Sequence, residues 1–196
     1  MKDFLGFRPK RSATGSGALP PIERIVMVAS TTIREGGAVN MGSSGVEDLD
    51  GSSEDFLGYC MGFEDADGFS YTLRTTKFTG TYTQNAQGDT YVSDATNADD
   101  GGDNIGALVM PGLEVICSGR LDADAATTTG SNLMGYYLDI DTSNEELLDE
   151  SSANTTKATF FLMPGVSNRL ATDPEHPESA RRVMVMAREL QQVTSA

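Results

Sequence analysis

Thr31-Thr32-Ile33-Arg34-Glu35-Gly36-Gly37-Ala38-Val39-Asn40-Met41, then Gly45-Val46, then Phe56-Leu57-Gly58-Tyr59-Cys60-Met61 is the stretch whose reading decides the fold. Short apolar, β-branched or aromatic runs alternate here with Gly, Asn and Ser clusters, the grammar of strands joined by tight turns. The same texture runs outward in both directions. Ile25-Val26-Met27-Val28-Ala29 precedes it, and Phe69 to Thr76 sets Phe69, Tyr71 and Leu73 against Ser70, Thr72 and Arg74. Phe78 to Thr83 follows with Phe78, Gly80 and Tyr82. Period-two alternation of this kind places the aromatics on one buried face and leaves the polar partners wet. Ile105 to Met110, Leu113 to Ser118, Met134 to Ile140, Ala158 to Met163 and Val183 to Ala187 complete a list of roughly ten strands.

Between these runs lie acidic or Thr/Ser/Asn-rich segments, Glu47 to Gly51, Asp94 to Asp103 and Thr142 to Thr156, which read as loops. Only Asn144 to Glu150 and Pro177 to Gln192 compete for helix. In the second, Val183-Met184-Val185-Met186 favours strand while Ala187 to Gln192 favours helix, and the strand reading is taken. The prediction is an all-β fold, a small β-barrel or sandwich with long acidic loops and an extended N-terminal arm.

Chain length, 196 residues, suits one domain with a proper core. Residues 1–22 read as an arm: a basic start, then Ser12-Ala13-Thr14-Gly15-Ser16-Gly17, then the stiff Pro20-Pro21. Residues 23–196 read as a single β-rich domain. Charge follows the same division. Residues 1–24 carry five bases (Lys2, Arg8, Lys10, Arg11, Arg24) against Asp3 and Glu23, a net of +3, whereas residues 25–168 carry five bases against 23 acids, a net of −18. An anionic body repels nucleic acid, so no nucleic-acid partner is expected. The cationic start suggests docking on an acidic neighbour, with another copy of the chain among the candidates. Met1 to Arg8 lacks the continuous apolar stretch of a secretory signal, and no run approaches the roughly 20 apolar residues of a membrane span. A soluble protein made in a cytoplasm, with no membrane partner, is the expectation.

Catalytic chemistry finds little support. His176 is the one histidine and lies in Asp173-Pro174-Glu175-His176-Pro177-Glu178, a charged, Pro-rich turn without apolar walls to tune its pKa. Cys60 and Cys117 stand 57 positions apart, each inside an apolar run, and read as small buried hydrophobes rather than a disulfide or metal pair. Some pair of carboxylates at glycosidase spacing is inevitable among 29 acids, but with no Trp in the chain the usual sugar platform is missing. No phosphate-cradling GxxxxGK[ST] occurs. Counted as an oxygen-ligand loop, Asp139 to Glu150 offers oxygens at positions 1, 3, 5 and 12, with Asn144 where a glycine is usual. Tyr136-Tyr137-Leu138 before it reads as strand rather than as an entering helix, so a solvated acidic loop is favoured. No enzyme activity, cofactor or metal site is expected.

The order of these segments resembles the head decoration, or cement, proteins of tailed bacteriophages. The likeness rests on Thr32 to Val39, the turn into Gly45-Val46, Phe56 to Met61, the step Gly135-Tyr136-Tyr137-Leu138-Asp139, and the closing segments Thr159 to Leu162 and Arg182 to Met186. Asp89 to Asp103 and Asp173 to Pro177 depart from it. The resemblance implies a non-enzymatic virion protein on the outer surface of the capsid, bound to the major capsid protein lattice, self-associating as a homotrimer and stabilising the head. The arm residues Lys2, Phe4, Phe7, Arg8, Lys10 and Arg11 would then be the capsid-binding set, ordering only on contact. Two alternatives remain: a phage tail-tube or connector component, distinguished by ring or tube assembly without capsid, and a calcium-dependent carbohydrate-binding β-sandwich, distinguished by calcium-raised melting.

Overall fold

Fourteen strands alternate with turns in a computed structural model that describes residues 6–13, 17–42, 44–49, 56–64, 68, 81–83, 90–92, 105–112, 114–122, 136–141, 144–154, 160–163 and 182–187. Outside the described residues lie Lys2, Phe4, Phe69 to Gly80, Asp94 to Asp103 and the segment around His176. In chain order the strands are β1 (Arg8–Ser12), β2 (Glu23–Val26), β3 (Thr32–Arg34), β4 (Ala38–Met41), β5 (Val46–Asp48), β6 (Phe56–Glu64) and β7 (Thr81–Thr83). β8 (Thr90–Val92), β9 (Gly106–Pro111), β10 (Val115–Leu121), β11 (Tyr137–Asp141), β12 (Asn144–Asn154), β13 (Phe160–Leu162) and β14 (Arg182–Ala187) follow. The fold is all-β.

They form three sheets. The first runs β1-β10-β12-β11-β13-β14, and because β14 also pairs with β10, from Ile116↔Met186 to Arg120↔Arg182, the five strands β10, β12, β11, β13 and β14 close into a ring. Closure gives every strand of the ring two neighbours and removes its exposed edges. The second sheet runs β2-β9-β6-β4-β5 and the third β3-β8-β7.

The second sheet is the middle layer, and neighbouring residues on its strands enter different cores. Ala38 and Tyr59 pack with Phe56, Val115, Leu138, Ile140, Leu148, Phe160 and Val185 against the ring. Val39 and Cys60, one residue further along each strand, pack with Ile33, Phe63, Tyr91 and Val109 on the opposite side. A strand buried on both faces has no wet positions to alternate with, which explains why Phe56 to Met61 is an unbroken apolar run. Gly58 sits where β6 approaches β9 so closely that a methyl group would collide with the Met110 carbonyl. The two cysteines are consequently free, buried and in separate cores.

Two expectations are corrected here. Thr142 to Thr156 is not a loop along most of its length: β12 pairs antiparallel with β11 (Asp139↔Asp149, Ile140↔Leu148) and parallel with β10 (Arg120↔Leu147, Leu121↔Leu148). Leu148, fully buried, supplies the apolar contact that places this polar segment in the ring. Tyr137–Asp141 and Asn144–Asn154 are therefore paired strands where an acidic loop was expected, and the Asp139 N–H donates to Ser152 Oγ at 2.8 Å. A bulge between Tyr137 and Asp139 is closed locally by Asp149, whose Oδ1 accepts from the Ser151 N–H at 2.8 Å.

The second correction concerns the N-terminal arm. Residues 6–13 do not stand off from the body; β1 pairs antiparallel with β10 and Phe7 belongs to the main core, 2% exposed. Aromatic burial and a strand ladder outweigh the entropy that a free basic tail would keep. The segment therefore belongs to the same folded unit as the residues after position 22.

Candidate docking surface

Gly36 has φ of 86°, a left-handed conformation that glycine adopts without strain, and it turns the chain between β3 and β4. That turn is closed by the Gly37 N–H donating to Arg34 O at 2.8 Å. The Gly36 N–H donates to Cys60 O and its carbonyl accepts from the Phe7 N–H, both at 2.7 Å. Gly6 lies against the same turn, where any side chain would strike the Gly36 carbonyl. The two glycines bring the start of the chain into the middle sheet.

Phe7 then inserts between the layers. Its ring centroid is 4.8 Å from that of Phe160, stacked, and 5.2 Å from that of Tyr59, tilted. Gly119 makes room for it: a Cβ there would lie 3.1 Å from Phe7 Cε1. From the ring, the guanidinium of Arg182, 2% exposed, donates to Gly6 O through Nη2 at 2.9 Å and Nη1 at 3.3 Å. A buried cation costs several kcal/mol unless it is hydrogen-bonded, and this donation from both terminal nitrogens offsets part of that cost while it holds the strand in place; Nε is buried without a hydrogen bond.

β1 runs on from this anchor as the outermost strand of its sheet. Arg8 pairs with Ser118 and Pro9 with Cys117, then a bulge shifts the register so that Arg11 pairs with Ile116 and Ser12 with Val115. Lys10 is the extra residue of the bulge. Arg8 and Lys10 are half-buried and Arg11 is exposed. Cations, a proline without an N–H and a bulge together blunt an edge against indiscriminate strand pairing while leaving it a charged face.

Of the six candidate capsid-binding residues, the structure thus brings Arg8, Lys10 and Arg11 together on one edge strand. It removes Phe7 to the core. Lys2 and Phe4 lie outside the described residues. The composition of residues 1–24 made the cations legible, whereas nothing in local sequence marked Gly6, Gly36 and Arg182 as the socket that fixes them.

Among the described residues, burial shifts two thiols and one phenol. Burial pushes the Cys60 and Cys117 thiols up to about 12, away from the reactive thiolate. Burial likewise raises Tyr59, whose hydroxyl sits beside the Cys117 thiol without a well-formed hydrogen bond. Among the described residues no group of three or more His, Cys, Asp or Glu is placed to hold a metal ion, and no helix is long and apolar enough to cross a membrane. The large hydrophobic residues exposed among those described are Leu19, Ile22 and Val92. No family model, curated protein or solved structure matches the chain.

Proposed function

We propose that the chain is a non-enzymatic structural protein of a virus particle that decorates the outer face of a capsid lattice and stabilises the head. The observation that carries this reading is a cationic edge strand, Arg8 to Ser12, paired onto a body whose residues 25–168 have a net charge of −18. On such a molecule β1 is the place where an acidic partner surface, that of another copy included, is attracted, while the rest repels nucleic acid. Repetition on a lattice multiplies weak contacts into stable attachment, and self-association as a trimer would add to it. The proposed partner is the major capsid protein.

Cosedimentation with purified heads of tailed bacteriophages tests the proposal. Wild-type protein should pellet with heads, and the Arg8→Glu/Lys10→Glu/Arg11→Glu variant should lose roughly tenfold or more in occupancy, about 1.4 kcal/mol or above across three charge reversals. Unchanged occupancy of the variant takes β1 out of the contact. A wild-type protein that ignores heads but forms rings or tubes by itself moves the assignment to a tail-tube or connector component.

A further inference from the structure

The contacts that seat the first described segment are all with distant parts of the chain: Gly36, Tyr59, β10, Phe160 and Arg182. They form a complete socket for Gly6 to Ser12 that would accept the same segment from any copy. What joins this segment to β2 is different in character. Gly17, Ala18, Leu19, Pro21 and Ile22 are exposed, with Leu19 at 39% and Ile22 at 47%, and Pro20-Pro21 keep this connection extended. β1 belongs to the ring sheet and β2 to the middle sheet, so the two consecutive strands are not paired as a hairpin.

We infer that Gly6 to Ser12 exchanges between copies of this chain, the N-terminal strand of one filling the socket of the next, with the 18–22 segments laid against each other. Exchange preserves each contact of the socket, so the two arrangements differ only in the connection and in the cost of association. The two exposed aliphatic side chains decide the balance. In a closed monomer Leu19 and Ile22 stay wet, whereas in an exchanged pair the two connections run side by side and cover them. A second copy is the occupant this geometry selects, because only another copy brings both the strand that fits the socket and a matching Leu19/Ile22 segment. Reciprocal exchange gives a dimer, and head-to-tail exchange a ring. The inference concerns copies of this chain alone and is independent of the capsid reading.

A native cysteine provides the test. Pro9 and Cys117 are directly opposed across the β1–β10 ladder, so Pro9→Cys places two thiols within disulfide reach on one face. Cys117 is fully buried, and Cys60 lies in the other core, so a thiol at position 9 reaches Cys117 only from the β1 seat. The full-length variant is concentrated to about millimolar, comparable with the effective concentration of a tethered strand, then oxidised and run without reductant. Exchange yields covalently linked dimers or closed rings as the main product. Adding Leu19→Ser and Ile22→Ser should shift the product several-fold towards linked monomer. Disulfides confined within single chains at every concentration overturn the inference. Should Pro9→Cys fail to fold, Ser12→Cys with Val115→Cys, the opposed pair at the far end of the same ladder, reads the same outcome.

Discussion

Replacing Phe7 with alanine separates an anchored strand from a loose arm more sharply than any other single change. The ring is 2% exposed and stacks on Phe160 at 4.8 Å while meeting Tyr59 at 5.2 Å. Truncating a buried phenylalanine costs about 3–5 kcal/mol, the transfer of the ring plus the cavity it leaves, with the two aromatic contacts placing this site towards the upper part of that range. A domain of this kind has about 5–15 kcal/mol in total, so the variant loses a third or more. With a urea slope of about 2–3 kcal/mol/M, the midpoint should fall by about 1–2 M. Equilibrium urea unfolding followed by circular dichroism, with the slope compared between variants, measures it. Phe7→Leu should fall between the two. A Phe7→Ala midpoint within about 0.3 M of wild type would mean the ring contributes under about 1 kcal/mol, and the reasoning that builds the N-terminal segment into the core would be wrong.

Arg182→Met keeps the length of the buried side chain but leaves Gly6 O without its donor, and should cost about 1–3 kcal/mol by the same unfolding assay. If Arg182→Met instead stabilises the fold, the guanidinium is a burden rather than a clasp. Gly58→Ala should abolish soluble folded protein, because the added methyl meets the backbone carbonyl of Met110, which has no rotamer with which to yield; a folded variant would contradict the strand spacing. Both thiols have folded values raised from 9.0 to about 12, so their contribution is complete below about pH 9 and is lost as pH climbs towards 12. Each thiol contributes a slope of up to about 1.4 kcal/mol per pH unit in that window. Stability of the Cys60→Ala/Cys117→Ala double variant should accordingly fall less steeply than wild type between pH 9 and 11, and equal slopes would show that the thiols ionise freely in the fold.

Legibility varied with how far each signal reached along the chain. Val183-Met184-Val185-Met186 was readable as strand from its residue types, and the structure places Val183 and Val185 inward on β14. Cys60 and Cys117 were readable as core residues from their flanking apolar runs. β12 was not readable, since Asn144-Glu145-Glu146-Leu147-Leu148-Asp149-Glu150 has the composition of a loop and becomes a strand because β10 and β11 offer it hydrogen-bond partners and a seat for Leu148. The basic start misled in the opposite sense. A short run containing proline and three cations scores as tail on local criteria, and only the socket made by Gly36, Phe160, Gly119 and Arg182 makes it strand.

By itself the sequence determined the class of the fold, the extended character of Phe56 to Met61, and the separation of a cationic start from an anionic body. Those properties are set by side-chain type and by periods of a few residues, which act locally wherever the chain folds. Tertiary structure alone decided that the ring closes through β12, that each cysteine enters a different core, and that the first strand is locked by an arginine 176 positions away. The physical reason is that an edge strand has no stability of its own: its hydrogen bonds and its buried ring count only once a partner strand and a cavity of the right shape are already in place.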